Sequence, residues 1–209
     1  MPLLLFQSFV INSQGSKKYT LEIFEDNISS ELEKIFYLPD VNRNLQFVFV
    51  VKDNDNANKD NSQRSFITSL IRKTAEKNNV RYSISKDTVT LSNDSAFYVV
   101  KIGDIKLSTK YPRFKKNNFL GEKTIVRQID GNISVEIESI DKKYSHNNNI
   151  VLHYTDEIDY DSYTAYESEY SFTKSIPPNV STTESLIFPV LLVVFSAAAT
   201  ILFFAIRSK

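Results

Sequence analysis

The sequence predicts a mainly β domain, antiparallel and sandwich-like, with one or two helices, followed by a single C-terminal transmembrane helix. Three observations predict it. From residue 80 onward, short apolar stretches recur between Asn, Asp and Gly clusters, the pattern of an all-β domain. Upstream, one stretch repeats its apolar residues at helical spacing and another carries the start signals of a helix. At the C-terminus, "LIFPVLLVVFSAAATILFFAI", residues 186–206, carries no charge.

The totals set the limits. A chain of 209 residues suits one domain. Basic and acidic residues balance at 25 each, so no global field draws nucleic acid. With four glycines there is no glycine-rich phosphate loop. The absence of cysteine removes disulfides, thiolate catalysis, iron–sulfur clusters and cysteine zinc sites together.

The extramembrane domain is expected over 1–174. Its start, "MPLLLFQSFVINSQGS", reads as a weak signal peptide over 1–15, lacking a positive n-region, or equally as a first strand. "KYTLEIF", 18–24, alternates as a strand, with Tyr19, Leu21 and Ile23 on one side. "NISSELEKIFYL" reads as a short helix capped by Ser29 or Ser30 and ended by Pro39-Asp40. "LQFVFVV", 45–51, is a central strand buried on both faces. The polar stretch 52–64 is a loop. As a calcium loop it fails, because Asn58 and Arg64 stand where an EF-hand needs Gly and an acid. In 65–79, Phe66, Ile67, Leu70, Ile71, Thr74 and Ala75 share one face of a helix, with Asn78-Asn79 as its stop.

The later strands expected are "VRYSI", "TVTLS", "AFYVVKI", "TIVRQI", "NISVEIESI" and "IVLHY", punctuated at Asp130-Gly131-Asn132 and at His146 through Asn149. In "ISVEIES", Ile133, Val135 and Ile137 face one way and Glu136 and Glu138 the other, as in a half-solvated antiparallel sheet. Between strands, "KLSTKYPRFKKNN" reads as a loop around Pro112. Its basic residues Lys106, Lys110, Arg113, Lys115 and Lys116 interleave with Tyr111 and Phe114, a candidate contact for anionic lipid or an acidic partner.

"DEIDYDSYTAYESEYSF", 156–172, sorts its residues by parity. Ile158, Tyr160, Tyr166, Tyr170 and Phe172 have even numbers; Glu157, Asp159, Asp161, Glu167 and Glu169 have odd ones. A strand puts these on opposite faces, so the segment is expected to be the last strand or pair of strands, aromatic side inward. The acids would then face solvent or the basic residues at 106–116. Asp156 and Tyr163 break the rule.

No catalytic, cofactor-binding or metal-ligating residue is expected. His146 and His153 are the two histidines, and no zinc-protease, nucleophile-elbow, phosphate-loop or dinucleotide motif occurs.

As a helix, residues 186–206 would span about 31 Å, one hydrocarbon core. Ser196, Ala197, Ala199 and Thr200 form a small-residue stretch suited to a partner helix. Residues 175–185 would be the juxtamembrane connector and 207–209 a basic tip, which argues against a GPI signal. Arg207 and Lys209 outnumber Lys174 on the other flank, which favours a cytosolic C-terminus. Asn27, Asn93, Asn132 and Asn179 open glycosylation sequons. Chance alone supplies about three, given 18 Asn and 37 Ser or Thr.

Two functions fit. One is a luminal accessory or stabilising subunit of an endoplasmic reticulum membrane complex, a glycoprotein with the bilayer and a membrane-protein subunit as partners. The other is a tail-anchored, cytosol-facing tether or adaptor of the mitochondrial outer membrane or endoplasmic reticulum.

Overall fold

The computed structural model describes residues 17–52, 61–85, 96–116, 122–140, 143–179 and 182–207. The expectations for residues 1–15, for the strand "TVTLS", for loop residues 53–60 and for Asn93 fall outside these. The described residues form one mixed five-stranded sheet with three helices, in the order α1 (Thr20–Ile35), β1 (Gln46–Val51), α2 (Ser62–Lys77), β2 (Tyr82–Ser85), β3 (Phe97–Lys116), β4 (Lys123–Ser139), β5 (Ser145–Asp159) and α3 (Thr182–Arg207). Short 3-10 turns at Tyr163–Tyr166 and Ser171–Thr173 lie between β5 and α3.

The β-rich class stands; the sandwich does not. The strands lie in one sheet of order β2-β1-β3-β4-β5, with β1 parallel to β2 and β3 and the remaining pairs antiparallel. What completes the core is helix. Phe24, Ile28 and Leu32 of α1 and Phe66, Leu70 and Ile71 of α2 join Phe47, Phe49, Val100, Ile102, Ile129, Ile133 and Leu152 of the strands in one buried cluster. Its rings meet edge to face, Phe24 on Phe172 at 5.2 Å and Phe36 on Phe47 at 5.2 Å.

Several local readings change. "KYTLEIF" is helix, not strand: Thr20, Ile23, Phe24, Ile28, Leu32 and Ile35 keep helical spacing through the segment, and one continuous buried face outweighs a three-residue alternation. Ser29 and Ser30 therefore sit inside α1. Its start is held instead by the Glu22 carboxylate, which accepts from the Tyr19 N–H at 2.9 Å. α2 begins at Ser62, inside the expected loop, and ends where Asn79 adopts φ 52°. β4 runs straight through Asp130-Gly131-Asn132. Gly131 makes close approach rather than a turn, since a Cβ there would stand 3.2 Å from Leu152 Cβ and 3.3 Å from Leu107 Cδ2. Likewise β5 takes in His146 through Asn149.

The segment 156–172 changes as well. β5 ends at Asp159, and the rest turns back over the sheet. Its aromatic residues still point inward: Tyr160, Tyr163 and Tyr166 pack on Tyr111, Ile125 and Ile158 in a second small cluster, and Phe172 enters the main core. Among the acids, Glu157 pairs with Lys115. Glu167 is turned inward, accepting from the Tyr111 hydroxyl at 3.0 Å and the Ser175 N–H at 3.1 Å.

In α3, side chains are described without a break from Pro189 to Phe204, and they are exposed. Pro189 lies within α3, which starts at Thr182. Among the described residues no helix is long and apolar enough to cross a membrane.

Candidate functional site: the helix-free face of the sheet

Among the described residues, α1 and α2 cover one face of the sheet. The other carries a stripe of cations along β3. The sequence hides this stripe, because Lys101, Lys106, Lys110, Arg113 and Lys115 do not share a parity. Two β-bulges reunite them. The β3–β4 register shifts between Gly103 and Lys106 and again between Lys110 and Arg113. Each extra residue flips the side-chain alternation. The register then sets Lys101 opposite Glu136, Lys106 opposite Asn132, Lys110 opposite Gln128, Arg113 opposite Val126 and Lys115 opposite Thr124. Those β4 partners all have even numbers, and directly opposed residues share a face. All five cations thus leave the sheet on the side away from the helices.

The expected basic loop is therefore strand, and the basic residues are spaced by its ladder. The β4 partners of Lys106, Lys110 and Arg113 put these cations about 13 Å and 7 Å apart along the strand. Pro112 sits in the second bulge, where a missing N–H breaks no ladder bond. Asp104, at φ 47°, takes the left-handed turn of the first. Lys116 departs from the group: it lies opposite Lys123, on the other face.

Two of the five cations are engaged. Lys101 reaches Glu138 at 2.8 Å and Glu136 at 3.3 Å. The Glu138 carboxylate, with Glu136, raises the Lys101 pKa above its ordinary value. Lys115 pairs with Glu157. Lys106, Lys110 and Arg113 have no ion pair among the described residues. Asp130, on the neighbouring strand, is taken up by His153 at 2.7 Å and Gln128 at 2.8 Å. At the first bulge a polar groove of about 560 Å³ opens between Lys52, Lys101, Asp104, Ser134, Glu136 and Asn147.

The remaining candidates are dispersed. Asn27 is exposed on α1, its amide donating to the Ile23 carbonyl at 2.7 Å. Asn132 is exposed on the helix-free face and Asn179 between Thr173 and α3. Ser196, Ala199 and Thr200 fall on one side of α3, with Ala197 off it. The Ser196 hydroxyl donates to the Leu192 carbonyl and the Thr200 hydroxyl to the Ser196 carbonyl, both at 2.8 Å, so both are satisfied inside the helix. His146 and His153 lie seven residues apart on β5 and face opposite sides, too far apart to act on one centre.

Sequence reasoning missed Arg127. It is fully buried, and its guanidinium binds Asp156 twice, Thr20 Oγ1 and the Lys18 carbonyl. The signal was present: Arg127 shares parity with Ile125 and Ile129 on the buried side of β4, and Asp156 breaks the acidic parity because it is the counter-ion.

No protein-family model matches the chain, and no curated protein matches it in sequence. Similar solved structures include a homolog of neuraminyllactose-binding hemagglutinin from Helicobacter pylori, at 13% identity and TM-score 0.33, covering 57% of this chain and 73% of that one. A minor lipoprotein from Acinetobacter baumannii is 14% identical with TM-score 0.29, covering 56% of this chain and 66% of that one. Rare lipoprotein B from Shewanella oneidensis is 12% identical with TM-score 0.26, covering 76% of this chain and 98% of that one.

Proposed function

We propose that the chain is a non-catalytic, single-pass membrane protein, an accessory subunit of an endoplasmic reticulum membrane complex, with α3 as its anchor and the helix-free sheet face turned to its partners. The observation that carries this reading is the uncovered apolar surface of α3. Phe195 is 70% exposed, Ile201 69% and Phe204 64%. Leaving a large apolar side chain in water forgoes about 1.5–3 kcal/mol, and contiguous apolar surface of this kind is normally covered by lipid or by a partner. The uncharged run 186–206 and the internally satisfied Ser196 and Thr200 hydroxyls suit lipid. Nine residue steps separate Thr173, the last buried residue of the domain, from Thr182 at the start of α3. The domain would then stand within about 30 Å of the bilayer, close enough to work beside other membrane subunits. The charge asymmetry favours a luminal domain and a cytosolic C-terminus.

Two measurements on the full chain expressed in eukaryotic cells test this. The chain is expected to stay in the membrane pellet through alkaline carbonate extraction; release of intact protein refutes the anchor. Endoglycosidase is expected to shift its mobility, with the shift lost when Asn27, Asn93 and Asn132 are replaced. An unshifted chain that is degraded by protease in intact microsomes places the domain on the cytosolic side instead.

A further inference from the structure

β5 ends the sheet. It bonds to β4 on one side, and among the described residues no strand lies on the other. Its 15 residues leave an open row of N–H and C=O groups about 50 Å long. Natural edges are blunted by charged side chains, lysine above all, and by proline, bulges, brevity or cover. β5 carries no lysine, proline or bulge, and its charges, Asp156, Glu157 and Asp159, all lie at one end. "SHNNNIVLHYTDEID" contains no Lys and no Pro, and its register with β4 runs unshifted from Ser145 opposite Glu138 to Asp159 opposite Thr124. The opposite edge, β2, is four residues long. Near the middle of β5, Val151 is 63% exposed.

We propose that β5 pairs antiparallel with β5 of a second copy, about a two-fold axis at Leu152. This register matches the whole strand to itself. Asp159 meets Ser145, Glu157 meets Asn147, Asp156 meets Asn148, Tyr154 meets Ile150 and His153 meets Val151. Every acid opposes an amide or a hydroxyl. Parallel pairing in register would set each acid against its own copy, and directly opposed like charges destabilise a sheet. With its acids at one end and its asparagines at the other, β5 is complementary to itself in the antiparallel sense, as an isologous interface requires. The two-fold of an antiparallel ladder runs perpendicular to the sheet, so both copies keep their helices on one side. Phe172 and Thr173, from which each chain leaves toward α3, lie on that side. Both anchors can therefore enter one bilayer.

The native chain has no cysteine, which makes the register testable. Full-length Val151→Cys and His153→Cys chains are co-expressed, solubilised in detergent and oxidised. Directly opposed positions meet disulfide geometry and diagonal ones do not, so the mixture is expected to give about tenfold more covalent dimer than either variant alone. The double variant Asn149→Lys/Val151→Lys, both at exposed positions, is expected to be monomeric by light scattering with an unchanged circular dichroism melt. Self-pairing is overturned by a wild-type monomer, by cross-linking as efficient from Ser83→Cys on β2, or by a dimer that survives the lysine pair, which would assign association to α3. Because all arms are read in detergent, their outcome is independent of whether α3 spans a membrane.

Discussion

Arg127 and Asp156 form a two-pronged ion pair across β4 and β5, with Nε donating to Oδ1 at 2.9 Å and Nη2 to Oδ2 at 2.6 Å. The same guanidinium donates to Thr20 Oγ1 at 2.9 Å and to the Lys18 carbonyl at 3.0 Å, and lies 5.4 Å from the centre of the Tyr166 ring. One side chain thus ties two strands to the start of α1 and to the turn after β5. Removing one partner of a buried pair leaves the other charge uncompensated, at about 3–5 kcal/mol. Arg127→Ala is expected to lower unfolding stability by about that much, measured by denaturant titration. Arg127→Met with Asp156→Leu is expected to cost less than the two single changes together. An unchanged denaturation midpoint for Arg127→Ala would remove this pair from the fold's supports.

Gly131 gives a second stability prediction. Gly131→Val places branched carbons on a Cβ that would itself stand only 3.3 Å from Leu107 and 3.2 Å from Leu152. Overpacking of this kind costs about 1–3 kcal/mol, so the thermal midpoint should drop, and Gly131→Ala should show a smaller drop in the same direction. A neutral Val variant would mean that the sheet can spread at this point.

The tyrosines set the alkaline limb. Burial, then the neighbouring Glu167 carboxylate, pushes the Tyr111 phenol well above its ordinary 10. Burial also raises Tyr154 and Tyr144. With a folded pKa above the unfolded one, the folded state holds its protons longer. Stability is therefore full below pH 10 and declines as pH rises from there toward the folded values. Stability followed by fluorescence against pH is expected to fall above pH 10, and Tyr111→Phe is expected to flatten that fall. The opposite slope would contradict the burial assigned to Tyr111.

The cation stripe predicts a surface effect without a folding effect. Lys106→Glu, Lys110→Glu and Arg113→Glu together are expected to abolish retention of the detergent-solubilised chain on a polyanionic resin at low salt, with an unchanged melt. Lys17→Glu, Lys73→Glu and Lys77→Glu make the same charge change on exposed residues elsewhere. That control is expected to stay bound. Equal loss from both sets would show that net charge, not the aligned stripe, governs binding.

Legibility followed the range of the interactions. α2 could be read to its six buried residues, because a helix writes its buried face into spacings of three and four. The alternation of Ile133, Val135 and Ile137 with Glu136 and Glu138 was equally legible, since a strand writes its faces into every second residue. Tyr160, Tyr166, Tyr170 and Phe172 do turn inward, but not by parity: the segment beyond Asp159 is not strand, and odd-numbered Tyr163 and Glu167 turn inward with them. Asp156 stood out of place as an unexplained exception, while Arg127, at core parity on β4, went unread.

By itself, then, the sequence determined a β-rich domain with helices, the buried faces of α2 and β4, and an apolar C-terminal segment, all properties carried by neighbouring residues. The tertiary structure decided that the strands form one mixed sheet closed by helices, that Arg127 meets Asp156, and that Lys101, Lys106, Lys110, Arg113 and Lys115 share a face. Pairing between strands distant in the chain depends on register, and a single bulge reverses every assignment of face beyond it. No local pattern records where a bulge will fall, so the stripe on β3 emerges only once the ladder with β4 is in place.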